Sequence, residues 1–106
     1  MVKVFSDQSL HGIEAQFSGW LAETPSDVLK LEWRQINGIY NVLVWYEKKS
    51  VGAELFVKAL AKQNLRTLED ALNALDMEVT IKDISYLASE HNHMALVLFE
   101  RKNYLR

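Results

Sequence analysis

The spacing of apolar and polar residues changes period along the chain, and each change marks a boundary. Val2 and Val4 alternate with Lys3 and Phe5, a period of two that predicts a short strand over Met1 to Phe5. Ser9 then precedes Leu10, Ile13, Phe17, Trp20 and Leu21, whose offsets share one helical face. The Ser9 side chain is suited to accept a hydrogen bond from a free amide of the first turn. Thr24-Pro25-Ser26 ends the helix, because a proline pushes the residue before it out of helical conformation. From Asp27 the alternation returns, with Leu29, Leu31 and Trp33 on one side and Lys30, Glu32 and Arg34 on the other. Asn37-Gly38 suits the two positive φ values of a type I′ turn, so Asp27 to Ile36 and Ile39 to Lys48 are predicted to pair as an antiparallel hairpin.

The same pattern then repeats. Tyr40 to Lys49, Tyr-Asn-Val-Leu-Val-Trp-Tyr-Glu-Lys-Lys, returns in altered form at His93 to Lys102, His-Met-Ala-Leu-Val-Leu-Phe-Glu-Arg-Lys. A shift of 55 positions lays Met1 to Phe5 on Phe56 to Leu60, Ser9 on Asn64, Ile13-Glu14 on Leu68-Glu69 and Phe17 on Leu72. Past the helix the shift is 53, which aligns Leu31 with Ile84, Trp33 with Tyr86, Leu43-Val44 with Leu96-Val97 and Glu47 with Glu100. The two missing residues fall in the Thr24-Pro25 loop, where a deletion disturbs least. Two copies make a fusion and not a solenoid. The predicted fold is α+β: a tandem βαββ duplication forming one domain, repeats 1–49 and 54–106 with a linker at 50–53, and a mainly antiparallel six-stranded sheet with two helices on one face.

One strand pattern constrains the layers. Val42, Val44 and Tyr46 lie on one side of the repeated strand and Leu43 and Trp45 on the other, so both faces are apolar. A half-wet strand does not carry that pattern. Helices cover only one face, so the other is expected to meet a further layer, either the other half of the chain or another chain. The duplication also suggests a pseudo-twofold arrangement whose single-copy ancestor was a symmetric dimer.

Composition narrows the class. The 106 residues, 49% hydrophobic and 25% charged, suit one globular core. The absence of cysteine excludes disulfides, thiolate zinc sites and cysteine nucleophiles, and fits a reducing compartment. No signal-like or membrane-spanning apolar run is present, so a cytoplasmic location and no membrane partner are expected. A formal charge of -2 removes the electrostatic drive for nucleic-acid binding.

Catalytic signatures are missing from the sequence. Gly12, Gly19, Gly38 and Gly52 are isolated and build no phosphate loop, and Ser6, Ser9 and Ser18 sit in no nucleophile motif. No cofactor, metal or catalytic residue is therefore assigned. Glu90-His91-Asn92-His93 has the residue types for a transition metal, but also those of a polar hairpin tip with Asn92 in a left-handed turn, which is the reading adopted. Trp20 and Trp33 fall on core stripes, whereas Trp45 and Tyr46 lie on opposite faces, so one of the two is the expected interface aromatic. Lys48-Lys49 and Arg101-Lys102 are related by the repeat and, with Arg34, form a candidate paired anion site; the alternative is a solvated strand end that discourages aggregation.

The first half also carries a resemblance. Val2-Lys3-Val4-Phe5-Ser6-Asp7, Glu14, Phe17, Trp20-Leu21-Ala22-Glu23 and Tyr40 to Glu47 together resemble a family of short single-repeat sporulation proteins of endospore-forming bacteria, with look-alikes in their phages. The resemblance implies a small non-enzymatic protein of bacterial or phage origin, of a kind that inhibits host defence by blocking a protein or sequestering a nucleotide signal. The expected function is thus a binding or inhibitor protein acting as a homo-oligomer, its partner a host protein or small anionic ligand. Contacts are expected from Trp45, Tyr46, Arg34, Lys48, Lys49, Arg101 and Lys102. A nucleic-acid-binding or regulatory module using its sheet face is the alternative.

Overall fold

The structure is a computed structural model that describes residues 1–49 and 54–102; the expected linker at 50–53 lies outside the described residues. Its elements run β1 Val2–Asp7, α1 Leu10–Glu23, β2 Ser26–Ile36, β3 Ile39–Lys48, β4 Phe56–Lys62, α2 Leu65–Glu78, β5 Val79–Ala88 and β6 His93–Arg101. The βαββ order occurs twice, and the fold is α+β.

Local chemistry explains the boundaries. The Ser9 hydroxyl accepts from the Gly12 amide at 2.9 Å and the Asn64 side chain accepts from the Thr67 amide at 2.9 Å, so both helices start on a capping residue. Asn37 (φ 52°) and Gly38 (φ 78°) both take positive φ, as a two-residue hairpin turn requires. Ahead of α1, Asp7 accepts from the Ser9 amide at 2.9 Å and from the Gln16 side chain at 3.0 Å. The Ser9 amide foremost, with the Ser9 hydroxyl and Gln16, outweighs partial desolvation and holds the Asp7 pKa below its ordinary 3.8. A side chain at position 12 would push the Asp7 carboxylate out of its bonds to Ser9 and Gln16, so this corner is kept by glycine there. At the second hairpin the Ser89 amide donates to the Asn92 carbonyl at 2.9 Å, and Asn37, not Asn92, is the non-glycine residue in left-handed conformation among the described residues.

The sheet differs from the single six-stranded one expected. Two three-stranded antiparallel sheets form, ordered β1-β3-β2 and β4-β6-β5, with the apolar strand central in each. Both sheets break register at equivalent places, between Val28 and Lys30 and between Ile81 and Asp83. The extra residue of the first bulge is Leu29, which is 58% exposed instead of inward; Val28 takes its place against the core.

The two sheets stack instead of joining edge to edge. Phe5, Leu31, Trp33, Val42, Val44 and Tyr46 of the first sheet, with Ile13, Phe17 and Leu21 of α1, share one core with Val57, Met94, Leu96 and Leu98 of the second. On the far side of the second sheet, Ala95 and Val97 pack under Leu68, Leu72 and Leu75 of α2. β6 is therefore enclosed on both faces, which its apolar pattern demanded. Edge-to-edge pairing would have left the Met94, Leu96 and Leu98 face in water; stacking removes it.

The junction is directional. The helix-bearing side of the first repeat meets the helix-free side of the second, so the halves are related head to tail and the expected pseudo-twofold does not occur. Polar contacts fix it. Glu14 on α1 accepts from the Ala59 amide at 2.8 Å and Ser18 donates to the Val57 carbonyl at 3.4 Å, covering the outer edge of β4. The Trp33 indole donates to the Ser85 carbonyl at 3.1 Å, and the Tyr40 hydroxyl points at the Met94 sulfur at 3.5 Å.

Candidate functional site

Head-to-tail stacking uses the helix-free face of the second sheet and leaves the matching face of the first without cover among the described residues. The register sets that face directly. Val2 lies opposite Trp45, Val4 opposite Leu43 and Ser6 opposite Asn41, while Lys30, Glu32 and Arg34 of β2 oppose the same three β3 residues. Residues paired across a sheet point the same way. The face thus consists of an apolar patch, Val2, Val4, Leu43 and Trp45, bordered on one side by a charged row. Val2 is 51% and Val4 55% exposed. Lys30 lies 5.2 Å over the Trp45 ring and 3.3 Å from Glu32, so its charge is shared between the aromatic face and a carboxylate. Between Val4, Ile36, Asn41 and Leu43 the face has a shallow, mostly apolar depression of about 170 Å³.

Burial separates the two candidate aromatics. Tyr46 is buried under α1, its ring 4.8 Å from that of Trp20 and nearly perpendicular to it, so it belongs to the core and offers no contact surface. Trp45 is half-buried on the open side. Trp33 is core, as its stripe indicated, and Trp20 packs against that core.

The basic residues of the two strand ends have separate partners. Lys49 pairs with Asp27 at 3.6 Å, Arg101 lies 5.0 Å over the Phe56 ring, and Lys102 donates to the Met77 carbonyl at the end of α2 at 3.1 Å. Arg34 opposes Asn41 near the Asn37-Gly38 turn, whereas Lys48 opposes Ser26 at the other end of the hairpin, on the order of 20 Å away at ~3.3 Å per residue. Lys48 is exposed at that strand end. Sequence periodicity related these residues correctly but could not show that their partners differ.

The two hairpin tips lie side by side around an open cleft of about 660 Å³ lined by Gln35, Asn37, Tyr40, Glu90, His91 and Asn92. Within it Glu90 and His91 approach each other at 3.9 Å, both largely in solvent. His93 is engaged elsewhere, its Nδ1 2.6 Å from the Tyr86 hydroxyl and its ring stacked on that tyrosine. Among the described residues no three His, Cys, Asp or Glu side chains converge on a metal position. Among them, too, no helix is long and apolar enough to cross a membrane. No family model matches the chain, and no curated protein or solved structure is detectably similar to it.

Proposed function

We propose that this chain is a non-catalytic binding protein whose contact surface is the helix-free face of the first sheet. One observation carries the reading: at the equivalent positions of the second sheet Val57, Leu96 and Leu98 are buried, while Val2 and Val4 are exposed and Leu43 and Trp45 only half-buried. An apolar patch of this kind, bordered by Lys30, Glu32 and Arg34, suits a protein surface with an apolar centre and a polar rim. Two bases around one acid, on a chain of charge -2, give less support to the nucleic-acid alternative. Sequestration of an anionic nucleotide is likewise less favoured, because Arg34, Lys49, Arg101 and Lys102 each have separate partners. As an inhibitor of bacterial or phage origin, the protein would act by occupying its target's surface.

The test is photocrosslinking in cells with a benzophenone amino acid at position 45, beside a control at Glu90. A discrete protein adduct at position 45 and none at position 90 is expected. Equal labelling at both positions, or none at 45, overturns the reading.

A further inference from the structure

The junction inside the chain has a plug and a socket, and the molecule's two ends repeat both. The plug is the helix-bearing side of the first repeat, with Glu14, Ser18, Leu31, Trp33 and Tyr40; the socket is the helix-free side of the second. Under the repeat shifts, Glu14 corresponds to Glu69, Ser18 to Asn73, Leu31 to Ile84, Trp33 to Tyr86 and Tyr40 to His93. These lie on the helix-bearing side of the second repeat, which no third sheet covers among the described residues. Ile84 is 43% and Tyr86 51% exposed there, although Leu31 and Trp33 are buried at the equivalent positions.

The main-chain bonding groups of the socket recur on the open face. Ala59 N, Val57 O and Ser85 O receive the internal contacts, and all three are main-chain atoms. Their counterparts are Val4 N, Val2 O and Glu32 O on the open face of the first sheet, where β1 pairs with β3 in the same register as β4 with β6. Main-chain atoms survive side-chain divergence. On the plug side the acceptor stays a glutamate, the Ser18 donor becomes an asparagine amide, and the Trp33 indole donor becomes the Tyr86 hydroxyl, which must turn from His93 Nδ1 to reach Glu32 O; the Tyr40-Met94 contact becomes His93 opposite Asn41.

We infer that the occupant of the open face is a second copy of this chain, docked head to tail so that Glu69, Asn73, Ile84 and Tyr86 of one molecule meet Val2, Val4, Glu32 and Leu43 of the next. This rests on the binding role proposed for that face. A head-to-tail contact leaves a free plug and a free socket at the ends of every assembly, so copies add until a ring closes or a filament forms. Asp76, Arg34 and Asn41 stand where the internal junction has Leu21, Leu87 and Met94, making the interchain contact more polar and reversible on dilution.

A complementation experiment with the full chain tests this. Tyr86→Glu damages the plug and Leu43→Glu the socket, and far-UV circular dichroism checks the fold of each; Val4→Glu replaces the second if it fails to fold. Native mass spectrometry of the wild type should show assemblies that grow with concentration. Each variant alone should be monomeric, and an equimolar mixture should give a heterodimer from one intact plug and one intact socket, with association at least tenfold tighter than in either variant alone. Self-association of the Tyr86→Glu variant would mean socket against socket, and overturns the inference. A wild type that stays monomeric also overturns it, and a photoadduct at position 45 to a different protein would then leave the binding role standing.

Discussion

The two repeats share element order, strand register, bulge position and helix caps, yet bury their central strands differently. Leu96 in β6 is fully buried, whereas Leu43, the same residue at the equivalent place in β3, is only half-buried. The difference comes from position in the stack: the second repeat receives the first on its helix-free face, and the first receives nothing there from the described residues. A similar local pattern can therefore be core in one copy and part of a half-open face in the other.

The sharpest way to break this comparison is to truncate the paired aromatics. Trp33→Ala should destabilise the monomer by about 3–5 kcal/mol, since it empties the core and removes the donor to Ser85. Tyr86→Ala should cost roughly 0.5 kcal/mol at a half-exposed site. Urea unfolding at high dilution checks both, and equal costs would mean that the repeats do not differ in their layering. The leucines give a smaller contrast. Leu96→Ala should cost about 2–5 kcal/mol and Leu43→Ala roughly 1 kcal/mol, because the latter has less buried area to lose.

The smallest effect concerns the corner before each helix. The first repeat has Asp7 there and the second has Lys62. Because the folded pKa of Asp7 is lowered, its contribution to stability is present above 3.8 and is lost as the pH falls through the folded value. Asp7→Asn should therefore lower the urea midpoint near neutral pH, and its deficit against the wild type should shrink in strong acid. A deficit that does not change with pH would assign the effect to shape alone.

Much of this was legible from residue spacing. The helix caps at Ser9 and Asn64, the Asn37-Gly38 turn and the duplication all depend on neighbours within a few positions or on direct alignment, and each appears as expected. The exception nearby is Leu29, since a bulge shifts alternation by one residue without changing composition. What spacing did not reveal was how the halves meet. Apolarity on both faces of β3 and β6 required further layers but did not say which side of one repeat faces which side of the other. One available signal was Glu14, kept as Glu69 between two helices that share only Leu10 and Glu23 besides; it bonds outside its own repeat, to a main-chain amide of β4. The partners of the basic residues were hidden for a related reason: strand ends of similar sequence sit beside different helix ends and rings.

The hold of α1 on β4 has one more consequence. Through Glu14 and Ser18 the helix occupies an amide and a carbonyl on the outer margin of that strand, positions where a neighbouring strand would otherwise dock. A helix thus stands in for a missing strand, and protection of that margin against amyloid-like growth depends on α1 staying docked more than on the sheet itself.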